Sequence, residues 1–346
     1  MRILIATTTV PFIDGGGNQI VDWLAQTLRT RNFNVEVLKI PFFSHFPVMA
    51  EQMLAIRLMD VATQDPADLL ITLRTPSYLL NHPNKVIWFL HHHRVAYDLW
   101  GTEYQDIPNN EEGLAYRKLM MDSDNQAFKE AKKIYSISCD VANRLKKFNQ
   151  INSAILYPPL LHGERFHSKD YSDYIIYPSR ITDHKRQLLA IESMKYTKTN
   201  VRLIIAGKSE HGSYFEKIQT CIQENNLQDK VQIINRWISE TEKIELIAHS
   251  LAGIYIPYFE DYGYVTLEYS HSKKATLTCT DSGGVLEIVK NEENGYICSP
   301  DPKELAARMD ELFLNKQLAK KLGGNAYHKI FELNITWDKV IEGLTT

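Results

Sequence analysis

Short apolar runs alternate with longer segments in which apolar residues recur every third or fourth position, and the pattern continues from end to end of the chain. RILIATTT is continuous and β-branched, as a parallel strand buried on both faces should be. After the loop VPFIDGGGN, the segment QIVDWLAQTLRTRNF sets Ile20, Trp23, Leu24, Thr27 and Leu28 at helical spacing, and NVEVLKI is the next strand. This is a βαβ opening. PADLLITLRTP and KVIWFLHHHR give two further strands, a polar helix runs from about Glu111 to Lys129, and KKIYSIS, CDVANRLKKF and AILYPP read as strand, helix and strand. Pro158 and Pro159 cannot continue a ladder, and the polar LLHGERFHSKDYSD after them marks a domain boundary.

The alternation then restarts. DYIIYPSR, VRLIIAGK, VQIIN and AGIYIP read as strands, separated by helices over HKRQLLAIESMK, about Tyr214 to Asn225, and ETEKIELIAHS. From Pro257 to Val289 a strand end, an acidic Gly-bearing turn, a helix, a strand and a second Gly-rich turn follow in succession, and from Pro302 onward the pattern is helical without a strand signal. Strands and helices alternating twice over predict an α/β protein of two Rossmann-like, doubly wound parallel-sheet domains with C-terminal helices. The expected division is 1–160 and 161–325, with a C-terminal helix in 326–346 packing back on the first domain.

Composition narrows the classes. A chain of 346 residues exceeds the size at which one core keeps growing. The formal net charge of -3 gives no dominant basic footprint, so no nucleic-acid partner is expected. The apolar run in MRILIATTTVPF is too brief and too β-branched for a signal peptide and leads into a Gly turn and an amphipathic helix, so it reads as a buried first strand; no run approaches the ~18 apolar residues of a membrane span. Cys139, Cys221, Cys279 and Cys298 lie far apart without ligand spacing and read as free thiols, which points to a reducing, cytoplasmic location.

Candidate chemistry gathers where strands end. Gly15, Gly16 and Gly17 lack the G-x-G-x-x-G spacing of a dinucleotide site, leaving a loop whose bare backbone approaches a ligand, or a plain flexible turn. His91 and His93 should share one direction past their strand, with His92 opposed; a substrate contact fits better than a metal site, since adjacent histidines seldom chelate one ion. Arg180 follows the strand DYIIYPS, and Lys185 opens the helix after it. Glu260 and Glu268 stand eight positions apart across the turn holding Gly263, and helix N-termini there favour an anion such as a diphosphate. Carboxylates beside an anion site need neutral hydroxyl partners, and a sugar nucleotide offers both groups.

The loop DGGGN, the turn YPSRITDHK, the strand IIAGK and above all PYFEDYGYVTLEYSHSKKATLTCTDSGGVLEIV resemble glycosyltransferase family 4, retaining enzymes of the GT-B fold with two Rossmann-like domains facing across a cleft. In the last segment Glu, seven residues and Glu precede a small-apolar strand and T-D-x-G-G-x-x-E. HHHRVAYDLW resembles a pattern of the bacterial polysaccharide-synthesis members. The resemblance implies an N-terminal acceptor domain and a C-terminal nucleotide-sugar domain. It gives Glu260 the donor sugar, Glu268 the ribose, and Arg180 and Lys185 the diphosphate, with the amides near Gly263, Tyr264 and Val265. Gly15 to Gly17 would approach the diphosphate from the first domain, and His91, with His93 second, would meet the sugar or acceptor.

The activity so implied is transfer of a hexose from a nucleotide sugar such as UDP-glucose to a glycan or lipid-linked acceptor, with no metal and no cofactor beyond the donor. Tyr262, Tyr264, Tyr269 and Ser270 stand where the family commonly carries other residues, so the aromatic ones either narrow the donor pocket or repack it. The alternatives on this fold are a sugar-nucleotide epimerase, a phosphorylase or a non-catalytic binding homologue. Peripheral contact with the inner membrane would use His45, Arg57, Arg94, Arg117 and Lys118 beside Phe42, Phe43 and Phe46, unless these aromatics simply pack in a partly buried loop.

Overall fold

The computed structural model describes residues 1–11, 16–43, 46, 48–61, 66–102, 105–210 and 212–346. The chain divides into two compact units, the first comprising 1–161 with 336–346 and the second 162–335.

Unit 1 contains β1 (Arg2–Thr9), α1 (Gly16–Thr30), β2 (Asn34–Pro41), α2 (Val48–Leu58), β3 (Leu69–Thr72), β4 (Lys85–Phe89), α3 (Glu111–Glu130), β5 (Lys133–Ser136), α4 (Cys139–Asn149) and β6 (Ala154–Ile155). Its strands are parallel in the order β2-β1-β3-β4-β5-β6. β3 and β4 are buried at every position, as strands covered on both faces must be. Helix starts follow side-chain caps: Asn110 accepts from the Gly113 amide at 2.8 Å and Ser138 from the Val141 amide at 3.1 Å. β4 ends at Phe89, two residues short of the histidines. The expected alternation still continues through them, with His92 buried and His91 and His93 half-buried.

Unit 2 contains β7 (Tyr174–Pro178), α5 (Gln187–Ser193), β8 (Arg202–Ala206), α6 (Gly212–Glu224), β9 (Val231–Ile234), α7 (Glu240–His249), β10 (Ala252–Ile254), α8 (Tyr264–His271), β11 (Thr276–Cys279), α9 (Val285–Ile288), β12 (Gly295–Cys298), α10 (Pro302–Leu314) and α11 (Lys316–Glu332). The final helix, α12 (Trp337–Thr345), belongs to unit 1, where the Trp337 ring meets Trp88 edge-on and its indole donates to the Leu160 carbonyl at 3.0 Å. The second sheet is also parallel, in the order β12-β11-β10-β7-β8-β9. Counted from β7 this is the 3-2-1-4-5-6 Rossmann order, so strand succession reverses between β7 and β10. Ligands in such sheets bind outside the carboxyl ends at that reversal. The corresponding reversal in unit 1 lies between β1 and β3.

Two elements escape the hydrophobic pattern. α2 exposes Val48, Leu54 and Leu58 and buries Met49, Met53 and Ile56, so no single polar face marks it. β12 is only GYIC, too short to read as alternation.

The residues proposed for a membrane face are engaged within unit 1. Arg57 forms a two-pronged pair with Glu130, Arg94 pairs with Asp98 and Lys118 with Asp122, while Arg117 lies over the Trp100 ring. Phe42 is buried, Phe46 packs edge-on against Tyr116, Phe43 is exposed, and His45 lies outside the described residues. Among the described residues no helix is long and apolar enough to cross a membrane.

Beneath the histidine turn the Tyr97 hydroxyl donates to Asp124 at 2.6 Å, and the Tyr97 ring lies 4.1 Å from that of His92. Asp124 is fully buried, and desolvation raises it from 3.8 to about 7. The folded unit therefore keeps a proton that the unfolded chain releases. Its contribution is complete below pH 3.8 and is lost as pH rises through about 7, roughly 4 kcal/mol over the whole window. His92 and His93, held down at about 4 chiefly by burial, act oppositely, with stability lost as pH falls from 6.5 toward 4. Subtraction removes the histidines. In urea denaturation, the stability of wild type minus that of Asp124→Asn is expected to fall by about 3 to 4 kcal/mol between pH 4 and 8. A difference that stays flat would place the Asp124 proton elsewhere.

Candidate active site

β7 and β10 bring the decisive residues to the reversal in the second sheet. Past β7, Gln187 donates to the Ser179 hydroxyl at 2.9 Å and to the Arg180 carbonyl at 2.8 Å, which shapes the SRITDHK turn. Lys185 does not open the following helix, as the sequence suggested. It ends a separate short turn, Asp183–Lys185, because Arg186 adopts a left-handed φ of 56° that breaks the helical path before α5. The Tyr177 hydroxyl holds the Lys185 carbonyl, and the Tyr258 amide donates to the His184 carbonyl at 2.8 Å.

That turn aims Lys185 inward. Lys185 is buried, and its ammonium donates to Glu260 Oε2 at 2.5 Å and to the Tyr255 hydroxyl at 2.7 Å and lies 5.1 Å from the Tyr255 ring centre. Burial, followed by the Glu260 charge, keeps Tyr255 protonated far above the usual range. Burial, reinforced by Lys185, lowers His184 to about 4 and leaves it neutral.

Glu260 is fixed from behind. Its carbonyl accepts from the Gly284 amide at 2.8 Å, and the Phe259 amide donates to the Asp281 carbonyl at 3.0 Å. At Gly283, with φ of 63°, an added Cβ would lie 2.4 Å from the Glu260 carbonyl oxygen, so the T-D-x-G-G turn can approach only without a side chain. Arg186 clamps the same loops, donating to the Ile256 and Pro257 carbonyls at 2.7 and 3.0 Å and to both oxygens of Asp281 at 2.7 and 2.8 Å.

Gly263, at φ 88°, opens α8 with no side-chain cap and no acidic residue in the first turn, which suits an anion at the helix start. On the second turn Glu268 is 5% exposed. Its Oε1 accepts from Lys243 of α7 at 2.5 Å, and its Oε2 is buried with no hydrogen-bond partner among the described residues. The two carboxylates thus do not share a cation: Lys185 serves Glu260 and Lys243 serves Glu268. Arg180 is not drawn into the Lys185 cluster. It pairs with Glu210 and is half-exposed, although its charge still reaches His184.

Tyr269 belongs to the core rather than to a narrowed pocket. It is fully buried, its ring fills the space over Gly253, and its hydroxyl lies 2.9 and 3.1 Å from the Ile176 and Ile254 carbonyls, tying β7 to β10. Tyr262 and Tyr264 meet edge-on at 5.4 Å.

In unit 1, Gly15 lies outside the described residues, while Gly16 and Gly17 begin α1 at the reversal of the first sheet. Beside them the sequence reading missed Arg74. Its side chain would lie 3.5 Å from a Cβ at Gly17, and it donates to the Thr8 carbonyl and to Asn18 at 3.3 and 3.2 Å. Burial lowers its pKa. His91 Nδ1 lies 2.7 Å from the His92 carbonyl, which places a proton on Nδ1.

Residues 164–329 match the family model Glycosyl transferases group 1, which spans the Lys185, Glu260 and Glu268 constellation. Over these residues the chain resembles that glycosyltransferase family. Among curated relatives, Alpha-1,3/1,6-mannosyltransferase ALG2 of Dictyostelium discoideum is 27% identical over 138 residues, or 38% of this chain and 32% of that protein. The chain spans 27 to 32% of the length of the curated relatives it matches.

Solved structures extend the likeness to the whole fold. A glycosyltransferase from Rickettsia africae superposes with a TM-score of 0.73 at 18% identity, covering 99% of this chain and 96% of that one. Anabaena Alr3699/HepE in complex with UDP gives 0.74 at 14% identity and covers 100% of both chains. The fold is GT-B.

Proposed function

We propose that the chain is a retaining, metal-independent glycosyltransferase that moves a hexose from a nucleotide sugar, UDP-glucose first, to a glycan or lipid-linked acceptor in polysaccharide synthesis. The observation that carries this reading is the buried Lys185–Glu260 pair beside the uncapped start of α8, at the reversal of a Rossmann sheet. When the bond from the anomeric carbon to the diphosphate breaks, negative charge gathers on the leaving group. Lys185 and the α8 dipole then supply fixed positive charge where a metal would otherwise serve. The acceptor oxygen bonds to the anomeric carbon, and its proton departs with the diphosphate. Glu260 is assigned to a sugar hydroxyl, Glu268 to the ribose, Arg180 to an outer diphosphate contact, and His91, with His93, to the sugar or acceptor.

UDP and glucose are supported by the Anabaena neighbour, which has been solved in complex with both. The name of the curated relatives favours a second reading, a mannosyl donor. The test is acceptor-dependent release of nucleoside diphosphate from a panel including UDP-glucose and GDP-mannose, with EDTA present, and NMR of the product anomer. Release that needs the acceptor, persists in EDTA and yields the donor's anomeric configuration is expected. Equal release without acceptor, no release from any donor, or undiminished turnover in Glu260→Ala overturns the reading.

A further inference from the structure

Glu268 is a costly residue as it stands. A carboxylate that is 5% exposed, with one oxygen lacking any partner among the described residues, loses hydration that must be replaced by a nearby cation or by donors from a ligand. The cation is Lys243. It reaches Glu268 from a different helix, one turn into α7, whose start is fixed by Ser239 accepting from the Glu242 amide at 3.1 Å. Its ammonium also lies 6.0 Å from the Phe166 ring centre, and its side chain is 24% exposed, so it is partly open to solvent while its partner carboxylate is buried. Among the described residues only Oε1 is taken, and a carboxylate can accept about four hydrogen bonds in all. The pair therefore orients the group and preserves accepting capacity for hydroxyls.

We propose that Lys243 is the positioning residue that holds Glu268 ready for the donor, so that the ribose hydroxyls are read by a Lys243–Glu268 pair rather than by a lone glutamate. This rests on the nucleotide-sugar reading above. A lysine that only fastened α7 to α8 would affect every nucleotide alike. One that sets the hydroxyl acceptor affects only nucleotides that carry those hydroxyls.

The experiment is calorimetric titration of the full chain with UDP and with 2′,3′-dideoxy-UDP, using wild type, Lys243→Met and Lys243→Arg, with thermal melts alongside. Wild type is expected to prefer UDP. Lys243→Met is expected to weaken UDP by about tenfold while dideoxy-UDP changes by less than about twofold, and Lys243→Arg is expected to recover most of the loss. Equal weakening of both nucleotides, or no weakening of UDP, overturns the role of Lys243 and leaves the donor site standing. Failure of wild type to bind UDP, or GDP in a parallel titration, overturns the nucleotide-sugar reading and this inference together.

Discussion

Replacing Lys185 by methionine is expected to lower kcat for sugar transfer by about 10²- to 10³-fold, the usual consequence of removing one preorganised charge from a transition state. Methionine keeps the length of the stem, so packing over Tyr255 largely survives while the charge beside Glu260 is lost. Charge on the leaving diphosphate grows as the bond breaks, so kcat should fall further than affinity for UDP. Arginine should not rescue. The side chain is 9% exposed, with its ammonium between a carboxylate and a tyrosine hydroxyl, and a planar guanidinium does not fit that space. Arg180→Met provides the contrast: a half-exposed cation already paired with Glu210 should cost less than about tenfold. Steady-state kinetics on both variants decide the matter, and a Lys185→Met enzyme within threefold of wild type would remove Lys185 from the chemistry.

The second large effect falls on stability. Arg186→Met is expected to destabilise unit 2 by about 2 to 3 kcal/mol, because it leaves the half-buried Asp281 carboxylate without its cation and strips donors from the Ile256 and Pro257 carbonyls. Arg186 also holds a φ of 56°, so the turn that presents Lys185 relaxes when its anchors go. Asp281→Asn should cost less, since an amide keeps acceptor capacity toward the guanidinium. Urea denaturation monitored in unit 2 checks this, and a loss below about 1 kcal/mol for Arg186→Met would show that the loops hold without the clamp.

The strands were legible because burial on both faces writes continuous apolar runs, and RILIATTT and DYIIYP are such runs. α2 was not, because its leucines point outward and blur the helical period. Lys185, Glu260 and Glu268 stood out as charges at strand ends in a recognisable order. Arg186 and Lys243 did not. Arg186 reads as one more cation in HKR, and only its positive φ reveals that it turns back onto Asp281. Lys243 sits mid-helix at a spacing any surface lysine would have, and its partner is 25 residues away. Arg74 was hidden for the same reason, since its neighbour Gly17 comes from another strand's loop. Local charge order can be read along a chain, whereas pairings across a sheet edge require the fold.

The proposed donor site lies at the carboxyl rim of the second sheet, where Lys185, the start of α8 and Glu268 would bind a nucleoside diphosphate sugar. A structure determined with UDP tests it most directly. Diphosphate density is expected within hydrogen-bond distance of Lys185 Nζ and the first amides of α8, with the ribose hydroxyls on Glu268. Saturating UDP that leaves this rim empty, or that binds elsewhere with the Lys185–Glu260 and Lys243–Glu268 pairs untouched, would contradict it.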